Sequence, residues 1–258
     1  MMLKSALDAL TSVFAPAPCR ICGQLLLNAS RIPVCETCVT SFERISEPMC
    51  QCCGRPFVSD VASQAVKPQC RLCRTSFYSF DFARSFAIYT LSEAITLLKY
   101  EEISQLGIWF GERLAALASP LSEQWRPDVV VPVPLHRERR RERGYNQAEL
   151  LARQVAKRLR LTIRTDLLIR TKPRPPQLLL SRSERWKCVR GAYETRGGRR
   201  VDKMRVLLID DVTTTGATLD ACARALKKAG AESVMGLTVA RMIPGWVLRQ
   251  KATSKKET

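Results

Sequence analysis

The sequence predicts an α/β protein: a parallel sheet flanked by helices, with a small cysteine-rich zinc-binding module at its amino end. Three observations carry that expectation. Val206-Leu207-Leu208-Ile209 is an unbroken apolar run of strand length, as expected of a strand covered on both faces of a parallel sheet. A turn rich in Thr and Gly follows it, and then a segment with helical apolar spacing (Leu219, Ala223, Leu226, Ala229) that Gly230 stops. Nine of the eleven cysteines fall between residues 19 and 73, eight of them in four Cys-x-x-Cys pairs.

Along the chain, Leu3 to Phe14 reads as a short amphipathic helix. Asp8 and the lack of a cleavage site before Pro16-Ala17-Pro18 argue against an export signal. No run approaches the ~18 apolar residues that a membrane span needs. Closely paired cysteines without an export signal lead us to expect a reducing, cytoplasmic setting.

The pairs are Cys19/Cys22, Cys35/Cys38, Cys50/Cys53 and Cys70/Cys73, with twelve residues between the first two pairs and sixteen between the last two. Two cysteines so spaced point at one ion from a tight knuckle, and two knuckles complete a tetrahedral thiolate site. Two structural zinc ions are therefore expected. Sequential pairing joins the first two knuckles and the last two; an interleaved pairing satisfies the same spacing. Cys52 is a spare thiol able to displace Cys50 or Cys53. A disulfide framework, a redox pair or an iron–sulfur cluster would use the same thiols, but the compartment and the fourfold spacing favour zinc. Cys188 and Cys222 stand apart and read as buried apolar residues.

Cysteine all but vanishes beyond Phe77, so residues 1–78 are expected to form the zinc module, 79–245 the α/β domain and 246–258 a basic disordered tail. Within the second segment, Ser85–Tyr89 reads as a strand and Ser92–Ala118 as two helices broken near Ile103–Gly107. Asp128–Val133 reads as a buried strand, Tyr145–Leu159 as a helix and Leu167–Arg170 as a strand. Thr171–Arg190 is expected to be an irregular, mobile flap. Arg205–Ile209 and Ser233–Ala240 complete the sheet.

Candidate site residues lie where strands end, since ligands of open α/β sheets sit beyond the carboxyl ends of the strands. Asp210 and Asp211 can accept hydrogen bonds from a diol or help hold magnesium. Thr213, Thr214, Thr215, Gly216, Ala217 and Thr218 open a helix whose unpaired N–H groups suit a phosphate. Val133, Pro134, Leu135, His136 and Arg137 follow another strand, and Arg143-Gly144-Tyr145-Asn146-Gln147 opens the next helix. Arg137 and Arg143 are the cations expected to meet phosphate oxygens; Arg185 in the flap reads equally as a third such cation or as a helix cap or surface ion-pair residue. Arg139 and Arg141 read as a solvated turn. His136, the one histidine, reads as a hydrogen-bond donor or an acid–base group. The net charge of +18, from 42 Lys and Arg against 24 Asp and Glu, favours polyanionic ligands but does not choose among them.

The segment Ile209-Asp210-Asp211-Val212-Thr213-Thr214-Thr215-Gly216-Ala217-Thr218 resembles the phosphoribosyl pyrophosphate (PRPP) loop of the type I phosphoribosyltransferases. Added to it are the cysteine knuckles, Leu98-Lys99-Tyr100, Pro132-Val133-Pro134-Leu135-His136, Arg143-Gly144-Tyr145-Asn146-Gln147 and the flap from Gln177 to Arg185. In that order they closely resemble the ComF family over roughly residues 16–242. The resemblance implies a type I phosphoribosyltransferase-like fold, magnesium-bound PRPP as ligand and a link to single-stranded DNA and the DNA-uptake machinery. It implies that Asp210 and Asp211 contact the ribose hydroxyls, Thr213–Thr218 the 5′-phosphate, and residues 133–137 the pyrophosphate. One departure is visible: members usually carry Arg-x-x-Asn-Val in the flap, whereas this chain has Arg185-Trp186-Lys187-Cys188-Val189. Two functions follow, a phosphoribosyltransferase or a DNA- or partner-binding protein that keeps the phosphate site, with PRPP sensing as a third.

Overall fold

The computed structural model describes residues 18–26, 32–57, 68–75, 78–89, 92–100, 104–173, 182–244 and 246. The expected helix at Leu3–Phe14, flap residues 177–181 and the basic tail beyond Trp246 lie outside them.

Two short helices, α1 (Glu36–Thr40) and α2 (Arg71–Thr75), belong to the cysteine-rich region. The order then runs β1 (Phe82–Ile88), α3 (Ser92–Tyr100), α4 (Ser104–Trp125), β2 (Val129–Pro132), α5 (Arg137–Arg143), α6 (Gln147–Leu159), β3 (Thr162–Ile163) and β4 (Leu168–Arg170). It continues through α7 (Arg182–Val189), β5 (Tyr193–Thr195), a 3-10 turn at Arg196–Gly198, β6 (Arg205–Thr213), α8 (Ala217–Lys228) and β7 (Ser233–Arg241). The main sheet has the order β1-β7-β6-β2-β3, every neighbouring pair parallel. Strands β4 and β5 form a separate antiparallel hairpin.

Strand β6 is central, and the alternation of side chains along it builds two cores. Leu207 and Ile209 face Ile95, Phe110, Leu114 and Leu151 of the α3, α4 and α6 layer. Val206 and Leu208 face Leu219, Cys222, Ala223 and Leu226 of α8. All four strand residues are fully buried, each contributing roughly 1.5–3 kcal/mol. Helix α6 is capped by Asn146, whose Oδ1 accepts the Ala148 amide at 3.0 Å.

Several expectations shift in detail. Helix α3 ends at Tyr100 and α4 begins at Ser104, so residues 104–107 of the expected break are already helical, and α4 runs on to Trp125 through Pro120. The Arg run is a helix, α5, rather than a turn: with no buried residue it has no apolar stripe to announce it. Part of the expected irregular flap is the helix α7. Cys222 is fully buried as expected, whereas Cys188 is only half-buried, since the short, polar α7 presents it toward the surface. The hairpin partner β5 and the edge strand β3 were not anticipated, because three and two residues are too few to display a period.

The cysteine-rich region closes one side of the domain. Ile45 donates its amide to Phe86 O and Ile88 donates to Glu43 O, covering the free edge of β1. Phe42 packs on Trp109 and Phe110 of α4, ring centroids 6.1 and 6.2 Å away.

Helices α4 and α6 meet where Gly111 leaves no side chain: a Cβ there would lie 2.4 Å from Gln154 Cβ. Gly111→Val is expected to separate the two helices and destabilise the protein by about 1–3 kcal/mol. A thermal melt checks this, and an unchanged midpoint would contradict the close approach.

Candidate functional site

Asp210 and Asp211 are the sixth and seventh residues of β6, Asp210 in register with Thr238 of β7, and are 8% and 5% exposed. The strand carries on to Thr213, so the acidic pair sits within the sheet's last rungs rather than in a loop. Asp211 continues the alternate set that faces α6. Its Oδ2 receives Lys99 Nζ at 3.0 Å from α3 and Gln147 Nε2 at 3.2 Å from the start of α6. Its Oδ1 accepts the Val212 amide at 2.7 Å, while Asp210 Oδ1 accepts the Asp211 amide at 2.9 Å.

The two carboxyls part company electrostatically. Burial and the charge of Asp211 hold Asp210 well above the usual carboxylate range. Burial raises Asp211 too, but Lys99 and the hydrogen bonds from Asp210 and the Val212 amide together outweigh it and leave Asp211 below that range. The two carboxyls are therefore pushed in opposite directions, Asp210 toward holding a proton and Asp211 toward losing one.

The loop after β6 is shaped by Gly216, whose φ of +83° favours glycine and whose added Cβ would meet the Tyr78 ring at 3.0 Å. Tyr78 donates its hydroxyl to Thr215 O at 3.1 Å, and Thr215 Oγ1 accepts the Ala217 amide at 3.3 Å. Thr213 Oγ1 is buried without a hydrogen-bond partner. The remaining first-turn amides of α8 have no helical carbonyl to bond.

The second strand end converges on the same place. Val133 donates its amide to Ile209 O at 2.8 Å, and its carbonyl accepts Asn146 Nδ2 at 3.0 Å. Pro134, Leu135 and His136 lead to Arg137, the exposed first residue of α5. His136 is nearly buried, its Nδ1 3.4 Å from Glu138 Oε2. Arg143 donates to Gln147 Oε1 at 2.6 Å, so a chain of contacts runs Arg143–Gln147–Asp211–Lys99. Tyr145 donates to Leu98 O at 2.5 Å and anchors the lysine's helix. Arg185 lies on α7 beside Trp186, whose ring packs 5.8 Å from Tyr78. Lys99 and Gln147 were given no role from sequence. Each lay in a segment that carried the family resemblance, yet nothing local shows that distant residues meet one carboxylate.

The eight paired cysteines form two groups, Cys19/Cys22/Cys35/Cys38 and Cys50/Cys53/Cys70/Cys73, the ligand atoms of each lying within 4.8 Å of one another. The pairing is sequential, and Cys52 belongs to neither group. Zinc–thiolate bonds of about 2.3 Å in a tetrahedron set sulfurs about 3.8 Å apart. The Sγ separations are 3.9 Å for Cys19–Cys38, 3.6 Å for Cys22–Cys35 and 3.8 Å for Cys53–Cys70. Backbone amides of Cys35 and Cys70 donate to Cys19 Sγ and Cys50 Sγ, both at 3.3 Å, as thiolates require. At Cys19 burial raises the thiol, but amides of Cys22, Cys35 and Ile21 outweigh it and bring it to about 6. Both groups fit structural zinc: four thiolates close each site.

Residues 104–254 match the phosphoribosyl transferase domain, and residues 9–75 match the double zinc ribbon domain. That combination defines the class of protein. Competence protein ComFC of Bacillus subtilis (strain 168) is 31% identical over 221 residues, covering 81% of this chain and 84% of that protein. Competence protein F of Haemophilus influenzae is 27% identical, covering 83% of this chain and 93% of its own. DNA utilization protein YhgH of Escherichia coli (strain K12) is 27% identical, with 85% and 94% covered. The chain belongs to the ComF family of phosphoribosyl transferase-domain proteins carrying a double zinc ribbon. Among the described residues no helix is long and apolar enough to cross a membrane.

Native mass spectrometry is expected to find two zinc ions per chain; one or none would contradict the reading of two four-thiolate zinc sites. Lys99→Met removes the cation that keeps Asp211 ionised, so the carboxyl is expected to titrate at higher pH. Carbon-13 NMR of the aspartate carboxyls reads this directly, and an unmoved titration would refute the role of Lys99.

Proposed function

We propose that the chain binds magnesium-bound PRPP, or a closely related phosphoribosyl ligand, at the carboxyl ends of β2 and β6. The observation that carries this reading is the buried pair Asp210–Asp211 beside a small-residue loop with a partnerless Thr213 hydroxyl at the mouth of α8. Asp210 and Asp211 accept hydrogen bonds from the ribose diol or bear on the metal, and Thr213–Thr218 enclose the 5′-phosphate. Residues 133–137 face the pyrophosphate, with Arg137, Arg143 and Arg185 as its cations. Magnesium would neutralise part of the pyrophosphate charge as that group departs. The protein's part in a transfer is to fix the diol, keep one carboxylate ionised through Lys99, and draw the flap helix over the centre by the Trp186–Tyr78 contact. Arg143 contributes twice, since one of its nitrogens also orients Gln147.

The names of the relatives, competence proteins and DNA utilization proteins, support a place for this chain in DNA uptake; the reading of a cytoplasmic setting rests on the closely paired cysteines. A second reading is a non-catalytic single-stranded DNA- or partner-binding protein that keeps the phosphate site. The exposed arginines of α5 favour it, although Arg140 is paired with Glu149 at 3.1 Å and Arg139 with Glu142 at 3.7 Å. Binding through such a surface weakens steeply with salt, whereas PRPP binding demands magnesium and the two aspartates.

Calorimetry with PRPP and magnesium tests the first reading on the zinc-loaded protein. Asp210→Asn with Asp211→Asn is expected to weaken binding at least about 100-fold, about 3 kcal/mol. Native protein that stays folded and zinc-loaded but binds no PRPP would defeat it.

A further inference from the structure

The two cysteine centres differ in their surroundings. Cys50, Cys53, Cys70 and Cys73 are all buried, whereas Cys22 is exposed and Cys35 half-buried. A zinc ion held by four thiolates is a dianion. Solvent balances that charge at the first centre; at the second the protein has to.

Two buried arginines flank the second centre. Arg84 of β1 and Arg241 at the end of β7 are 8% and 3% exposed, and among the described residues neither makes an ion pair with a carboxylate. Glu47 makes no ion pair with Arg84 but is the largest opposite charge acting on it, ahead of Cys50, Cys53 and Cys52. Each arginine bonds the knuckle backbone, and Arg84 also donates to Ala83 O of its own strand at 2.9 Å and to Gln51 Oε1 at 3.5 Å. Arg84 Nη1 donates to Gln51 O at 3.0 Å, the Ala83 amide donates to Cys52 O at 2.7 Å, and Arg241 Nη2 donates to Cys53 O. Three consecutive knuckle carbonyls are thus held by β1 and β7. Gly54 completes the turn at φ +67°, where a Cβ would come within 2.5 Å of Ala83 O. Arg241 Nε is buried with no partner, so hydrogen bonding alone does not account for this guanidinium.

From this centre two routes lead to the loop at the mouth of α8. Arg241 is in register with Thr213, and the next amide, Met242 N, donates to Thr213 O at 2.8 Å. Tyr78 packs against the second cysteine centre, bonds Thr215 O, stacks on Phe80 and meets the Trp186 ring of α7 at a tilt, centroids 5.8 Å apart.

Resting on the reading of residues 213–218 as a phosphate loop, we infer that the second zinc–thiolate centre is the counter-anion of Arg84 and Arg241, and that Arg241 and Tyr78 are positioning residues through which it fixes the loop. The first centre has no such contact with the loop among the described residues.

Zinc affinity, measured on the holoprotein by competition with a chromophoric chelator, tests the charge balance. Cys22→Ser, which removes only the first centre, assigns the two ions. Arg241→Gln is expected to weaken the second zinc by on the order of tenfold or more and to leave the first unchanged. Arg241→Lys, which keeps the charge, is expected to recover most of the loss. An unchanged second zinc, or an equal loss at both centres, overturns the counter-anion role. Should Arg241→Gln fail to fold, Arg84→Gln makes the same measurement from the other guanidinium. Saturating magnesium-PRPP is expected to tighten the second zinc and not the first, because coupling between sites is reciprocal. Tyr78→Phe is expected to reduce that tightening while leaving zinc affinity without PRPP unchanged. Native protein that binds PRPP yet shows equal zinc affinity with and without it overturns the coupling. Native protein that binds no PRPP overturns the phosphate-loop reading, and the coupling with it, while the arginine result stands by itself.

Discussion

Asp211 is buried in the central strand, and a charge placed there without a partner would cost several kcal/mol. The ion pair with Lys99 and the hydrogen bond from Gln147 let it stay ionised. Much of the architecture serves those two contacts. Tyr145 ties the end of α3 to the start of α6, so that Lys99 and Gln147 approach from adjacent helices. Asn146 joins that helix start to the loop after β2. The loops that would meet a pyrophosphate and a ribose phosphate are therefore braced by the residues that stabilise one carboxylate.

A cysteine-rich head that could have been a separate appendage is instead part of the wall. Its first ribbon enters the core through Phe42 and the aromatic rings of α4. Its second sits on β1 and β7 through backbone carbonyls and two arginines. With few apolar residues of its own, this region would draw much of its stability from bound metal. The sheet depends on it in turn, since residues 43–45 cover the edge of β1.

The parts of this structure legible in the sequence are those set by local pattern. Strand β6 announced itself because burial on both faces demands an unbroken apolar run, and α8 because its buried stripe recurs with the helical period. The zinc groups were legible from spacing, though their pairing was left open until the fold brought the knuckles together. The candidate acidic pair and phosphate loop were marked by composition and position. What escaped was set by tertiary contact. Lys99 sits at the end of a helix with no local sign of its partner, and Arg84 and Arg241 look like outward-facing strand residues until the knuckle is seen covering them. Helix α5 escaped for the opposite reason: it buries nothing.

The central claim is that the turn from β6 into α8 is a phosphate-binding loop. Hydrogen–deuterium exchange of the zinc-loaded protein, with and without magnesium-PRPP, tests it most directly. Slowed exchange of amides 213–219, with amides in β4 and β5 unaffected, is the result this account requires. Ligand binding that leaves the 213–219 amides exchanging at their free rate would place the phosphate elsewhere and contradict it.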